Sequence, residues 1–159
     1  MKGLPRLEPG TAGTVELRMD ARPENLALAR LALGGIASVV AAPEDVVADL
    51  KVAVTEACTN AIQHAHGPGA SGSVVVRYRA AEGRIDIEVE DEGIGFDPLD
   101  PGAPDRQHGE SQGMGLMIIR ALTDETTVES DRTGSRISFS KRLETDAFAD
   151  SGAYLETDA

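Results

Sequence analysis

The sequence predicts an α+β fold: a two-layer α/β sandwich whose mixed, mainly antiparallel sheet carries helices on one face. Three observations predict it. Two long segments repeat apolar residues at three- and four-residue steps, the helical period. Two segments at residues 73–79 and 84–90 alternate apolar and polar side chains and are separated only by a short Gly-containing turn, which reads as an antiparallel hairpin. The order strand, two helices, two strands, helix, two strands fits helices packed together on one side of a sheet.

Residues 1–13 hold three glycines and two prolines and read as a loose leader. Thr14–Met19 alternates as a strand does. Ala21–Val40 reads as a helix, with Leu26, Ala29, Leu33, Ile36 and Val40 on one stripe and Pro23 where a first turn tolerates it. Ala41-Ala42-Pro43 breaks the pattern. A second helix runs from Glu44 to about Ala65, with Val47, Leu50, Val54, Ala57, Ala61 and Ala65 as its apolar stripe, and Gly67-Pro68-Gly69 ends it. After the hairpin, Asp91–Gln112 is rich in Gly, Pro and Asp and has no apolar period, the mark of a functional or disordered loop. Met114–Leu122 reads as a short apolar helix, and Thr126–Glu129 and Ser135–Lys141 as closing strands. The acidic stretch 144–159 reads as a disordered tail, with LETDA occurring at Leu143–Ala147 and again at Leu155–Ala159, which leaves 14–143 as one domain.

Composition bounds the function. The chain has 159 residues, 41% hydrophobic and 26% charged, enough for a core without disulfides. Cys58 is the one cysteine, so no intramolecular disulfide forms and a reducing, cytoplasmic compartment is expected. The first 13 residues lack the apolar run of a signal peptide, and no stretch of about 18 apolar residues suits a membrane span. The net charge of −12 argues against direct nucleic-acid binding, which needs a basic surface; it fits plain solubility first and a basic protein partner second.

Four constellations carry possible chemistry. Glu56 and Asn60 are four apart, hence neighbours on one helical face, roughly opposite the apolar stripe; Gln63 joins them. They are either a solvated polar face or a proton-accepting carboxylate beside an amide oxygen for a hard cation. Asp91-Glu92-Gly93-Ile94-Gly95 follows a strand; its glycines permit a close backbone approach to a ligand, and the aspartate can accept from a base amino group, although a plain turn fits too. Gly113-Met114-Gly115-Leu116 leads into a helix, where free N–H groups and the dipole favour phosphate. Gly134-Ser135 precedes the last strand; by itself it reads as a plain turn, and the other reading is a hydroxyl that shares a water or ligand contact with Asp91. Neither GxGxxG in a βαβ unit nor GxxxxGK[ST] is present.

The order of these blocks resembles the GHKL (Bergerat) ATP-binding fold and, more closely, the anti-sigma-factor serine-protein kinases of the RsbW type. The blocks are Arg22-Pro-Glu24-Asn25 with Arg30, TEACTNAIQHAH at 55–66, DEGIGFDP at 91–98, GMGLMIIRALTDE at 113–125 and TGSRISFSKRL at 133–143; together the match covers Val15–Leu143. The resemblance implies an ATP- and Mg²⁺-dependent protein serine/threonine kinase. It would sequester a sigma factor and phosphorylate an anti-anti-sigma antagonist, acting as a homodimer. It implies Glu56 as general base, Asn60 as Mg²⁺ ligand, and Asp91 with Ser135 as readers of the adenine amino group. Gly93, Gly95, Gly113, Met114, Gly115 and Leu116 would shape the nucleotide pocket, Pro98–Gln112 the lid, and Arg22 and Arg30 a partner surface.

Two departures stand out. Ser111 and Gln112 occupy places where the family often has a basic residue for the terminal phosphate, with Arg106 and His108 as candidate substitutes; Leu26 stands where some members carry an acidic residue. An ATP-dependent binding module with little turnover is therefore the alternative. A detached histidine-kinase ATPase domain is a third reading, disfavoured because no phosphoacceptor hairpin is present. His64 and His66 point about 200° apart on a helix, which argues against joint metal binding. Cys58, beside the apolar stripe, reads as buried filler.

Overall fold

A computed structural model describes residues 13–65, 72–81, 83–91, 109–131 and 133–144, with side chains from Gly113 onward in the helix that starts at residue 109. The expected leader and acidic tail, the loop residues Gly93 and Gly95, His66, and the lid residues Arg106 and His108 lie outside the described residues.

The elements follow the expected order: β1 (Thr14–Asp20), a 3-10 turn (Pro23–Asn25), α1 (Leu26–Val39), α2 (Glu44–His64), β2 (Ser73–Ala81), β3 (Arg84–Asp91), α3 (Gly109–Leu122), β4 (Glu125–Asp131) and β5 (Gly134–Arg142). The sheet order is β1-β2-β3-β5-β4, and every pairing is antiparallel, the limiting case of the mainly antiparallel sheet expected. The reason is the α3 crossover. It carries the chain past the neighbouring position, and β5 then returns between β3 and β4, separating the two strands that run in the same direction.

Strand parity fixes the layers. Val74, Val76 and Tyr78 of β2, Ile85, Ile87 and Val89 of β3, and Ile137 and Phe139 of β5 are buried and join one core cluster. The helices meet this face with Ala29, Leu33 and Ala37 of α1, Leu50, Val54, Ala57 and Ala61 of α2, and Ile119 of α3. Tyr78 also donates its hydroxyl to the Ala29 carbonyl at 2.7 Å, pinning α1 to the sheet. The opposite sheet face carries charge. Arg77 stands directly across from Glu88 and donates to Glu16 at 3.0 Å and to Glu88 and Glu90 at 2.8 Å. Burial works against the guanidinium charge, but the hydrogen bonds to Glu90, Glu16 and Glu88 more than offset it and raise its pKa.

The first helix starts later than expected. Ala21 donates its N–H to Gly72 at 2.8 Å, prolonging the sheet edge, and Asn25 Nδ2 donates to the Asp20 carbonyl at 2.8 Å. The chain therefore turns through Pro23–Asn25 before α1 begins. α1 ends in a Schellman motif: Ala42 N–H bonds to Ala37 O at 2.9 Å and Ala41 N–H to Ser38 O at 3.2 Å. Ala41 occupies the left-handed position, with φ of 52°, where glycine is the usual residue. α2 begins on Pro43 with Glu44 and Asp45 in its first turn and ends with His64 in its last, charges that suit the helix dipole.

Two predictions follow from these contacts. Ala41→Gly removes the left-handed strain and should raise unfolding free energy by about 1 kcal/mol in urea titration; a loss of stability would contradict the assignment. Burial pushes the Cys58 thiol up to about 12 from 9.0 and shifts Tyr78 in the same direction. Both are acids held neutral in the fold, so their contribution is intact below the unfolded values. It should decline from about pH 9 upward as the unfolded chain ionises first. Cys58 should accordingly resist a disulfide-exchange reagent at pH 8 in the native protein and react on unfolding.

Candidate active site

The site is built on α2. Glu56 and Asn60 lie one turn apart, as their spacing requires, but the face they share is not open to solvent: Asn60 is only 9% exposed and Glu56 is half-buried. The expectation of a face opposite the core treats α2 as an edge helix. It is instead the middle helix, with α1 on one side and α3 on the other. Gly115 of α3 makes the close approach. A Cβ added there would lie 3.1 Å from Glu56 Oε2, 3.5 Å from Asn60 Nδ2 and 3.7 Å from Asn60 Oδ1. The carboxylate and the carboxamide thus converge on one point of α3. Thr55 and Thr59 spend their hydroxyls on carbonyls of their own helix, Lys51 and Thr55, at 2.7 Å each. Gln63 is exposed.

α3 starts at Gly109 rather than at Met114. No proline interrupts residues 109–114, and extending a helix costs less than nucleating one. Gly113 and Gly115 therefore sit inside the helix, and its unpaired N–H groups lie a turn earlier than expected. Gly115 is buried against α2 and Leu116 is half-buried, whereas Gly113 is exposed and Met114 is 64% exposed. Ile119, fully buried, anchors the helix.

The second group sits at the other end of α2. Asp91 closes β3 on the helix-facing side and is 2% exposed. Ser135 is its cross-strand partner on β5, and Ser135 Oγ–H donates to Asp91 Oδ2. His64, the last residue of α2, brings Nδ1 to 3.4 Å from Ser135 Oγ and 3.7 Å from Asp91 Oδ2. The reading from residue types passed over His64 as half of a poor metal pair. The spacing that could have found it is plain: Glu56, Asn60 and His64 recur every four residues. Asp91 and Ser135 border a polar cleft of about 480 Å³ whose far wall includes Glu129, Asp131 and Arg136. There the Thr133 hydroxyl and backbone N–H hold the Asp131 carboxyl below the ordinary aspartate value.

The structure therefore joins Glu56, Asn60 and Gly115 at one place, and Asp91, Ser135 and His64 at another. Arg22 and Arg30 stand apart on exposed surface around α1; Arg22 is 71% exposed and 3.8 Å from Glu24.

Residues 19–141 match the family model of the histidine kinase-like ATPase domain. A serine-protein kinase RsbW of Bacillus licheniformis is 39% identical over 140 residues, spanning 83% of this chain and 87% of that protein. The enzyme of the same name from Bacillus subtilis is 36% identical over 141 residues, with the same two shares. Among solved structures, the RsbU and RsbW domains of Rv1364c from Mycobacterium tuberculosis superpose with a TM-score of 0.64 at 21% identity, covering 82% of this chain and 32% of that one. That likeness, below the identity that speaks to function, supports the fold. The chain belongs to the histidine kinase-like ATPase domain family, in its branch of RsbW-type serine-protein kinases.

Proposed function

We propose that this chain binds ATP with Mg²⁺, phosphorylates a serine or threonine of an anti-anti-sigma protein, and sequesters a sigma factor, working in the cytoplasm as a homodimer. The observation that carries the catalytic part is the convergence of Glu56 and Asn60 on Gly115, with the Asp91–Ser135 pair at the far end of the same helix. From Glu56 to His64 is about 12 Å along α2 at the helical rise, the scale of an extended nucleoside triphosphate.

The residues fit the nucleotide. A carboxylate has acceptor sites on both oxygens, so Asp91 can hold Ser135 and still receive an adenine amino hydrogen. Asn60 Oδ1 would hold the cation, whose other ligands come from phosphate and water. When bound, the cation neutralises phosphate charge, which together with positioning is most of what phosphoryl transfer requires. Glu56 accepts the proton of the substrate hydroxyl. Gly93, Gly95 and Gly113 would line the nucleotide path.

Partner binding draws on the exposed side of α1, where Leu28 and Leu31 accompany Arg30, with Arg22 just before the helix. A net charge of −12 suits a basic partner surface and not a nucleic-acid backbone. Among the described residues no helix is long and apolar enough to cross a membrane. Ser111 and Gln112, in place of a basic residue, favour the second reading, an ATP-dependent binding module with little turnover.

Transfer of radiolabel from ATP to a candidate antagonist separates the two. Glu56→Gln should lower transfer at least about a hundredfold while ATP affinity changes less than about twofold, below the weight of one lost hydrogen bond. Full transfer by this variant removes Glu56 as the base; nucleotide binding without transfer by the native chain selects the binding module. Gly115→Ala tests the convergence. The added methyl group should displace the Glu56 carboxylate and cut transfer about tenfold, while helix propensity leaves stability unchanged or raises it by up to about 1 kcal/mol. Unaltered transfer would show that the contact plays no part.

A further inference from the structure

We propose that His64 is a positioning residue of the nucleotide site: through Ser135 it holds Asp91 as a hydrogen-bond acceptor, and so it sets preference for a 6-aminopurine over a 6-oxopurine. The inference rests on the reading of Asp91 as the base-recognition residue and adds to it a residue that positions the acceptor.

The direction of the hydrogen bonds follows from counting hydrogens. A serine hydroxyl carries one, and Ser135 Oγ–H gives it to Asp91 Oδ2. Ser135 can then meet His64 Nδ1 only as an acceptor, so the hydrogen between them, over 3.4 Å, sits on Nδ1. His64 is accordingly the Nδ1–H tautomer or the imidazolium; both donate from that nitrogen. Its position favours this arrangement. Nδ1 is 3.7 Å from the Asp91 carboxylate, and the ring stands on the last turn of α2, where the helix dipole favours a positive end.

The chain His64 Nδ1–H to Ser135 Oγ–H to Asp91 Oδ2 thus runs one way. Without the histidine, the serine hydroxyl loses the donor that meets its lone pair over 3.4 Å and gains rotational freedom. With it, the Nδ1 hydrogen points at Ser135 Oγ and the serine hydrogen at Asp91 Oδ2, and the remaining carboxylate lone pairs meet a ligand as acceptors. The 6-amino group of adenine supplies the matching donor. The 6-oxo group of guanine opposes an acceptor with an acceptor, and a site built around one hydrogen-bond polarity rejects the opposite one strongly. Because Asp91 and Ser135 are held in register by the β3–β5 ladder, the histidine is the member of the trio that arrives from another layer.

The test is equilibrium binding of ATP and GTP with Mg²⁺ to the full chain, native and with His64→Leu, His64→Gln or Ser135→Ala. Native protein should prefer ATP. His64→Leu should weaken ATP binding about fivefold to tenfold, as loss of one supporting hydrogen bond does, leave GTP binding unchanged and so narrow the ratio. His64→Gln, which retains an N–H donor, should recover most of the preference. Nitrogen NMR of the native imidazole should show a protonated Nδ1, with a signal that moves in Ser135→Ala. Equal loss for both nucleotides in His64→Leu, or no change in either, overturns the inference, as does an unprotonated Nδ1. If the native chain binds neither nucleotide, the nucleotide-site reading itself falls. If His64→Leu does not fold, the Gln variant and the imidazole spectrum still decide.

Discussion

The close packing of α2 against the sheet is the constraint on which the rest depends. Ala53, Ala57, Cys58, Ala61 and Ala65 are small and buried, and they let the helix backbone approach the apolar face of β2, β3 and β5. That approach brings His64 to the strand ends where Asp91 and Ser135 meet. It also leaves the Glu56–Asn60 side within reach of α3, where a side chain at Gly115 would press on the carboxylate. Both halves of the site are thus secondary to one helix–sheet contact, which is apolar and contributes through burial, not through specific polar bonds.

The other sheet face shows the opposite strategy. Arg77 is 5% exposed and Glu88 1%, on the sheet face turned away from α1, α2 and α3. Taking these charges from water is costly, and the arginine meets that cost with three carboxylates on the two adjacent strands, β1 and β3. Removing one partner would leave a buried charge uncompensated, which is why such networks constrain strand register more than they add stability. Arg79 with Asp86, at 3.1 Å, repeats the pairing one step along. The sheet therefore has an apolar side that positions the site and an ionic side that fixes which residues face each other.

Much of this was legible in the residues. The periodicity of α2 and the alternation of β2 and β3 located the layers, because helix and strand periods differ and each stripe must face a core. Asp91 with Ser135 was foreseen as a pair, and the structure joins them by a hydrogen bond. The start of α3 was not legible. Gly109–Gln112 has weak intrinsic preference, and a continuing helix decided it. Nor could periodicity reveal that α3 covers Glu56 and Asn60, since a helical wheel assigns faces but does not say how many neighbours a helix has. His64 escaped for a related reason: its partners come from two strands far along the chain, and no local pattern reports them.

The four-residue recurrence of Glu56, Asn60 and His64 ties the two ends of the site to a single helical phase. Inserting or deleting one residue between Glu56 and His64 would rotate one end by about 100° relative to the other. The Asp91–Ser135 end would then lose its register with the Glu56–Asn60 end, with every side chain still present. The length of this stretch of α2 is therefore as much a part of the site as the side chains it carries.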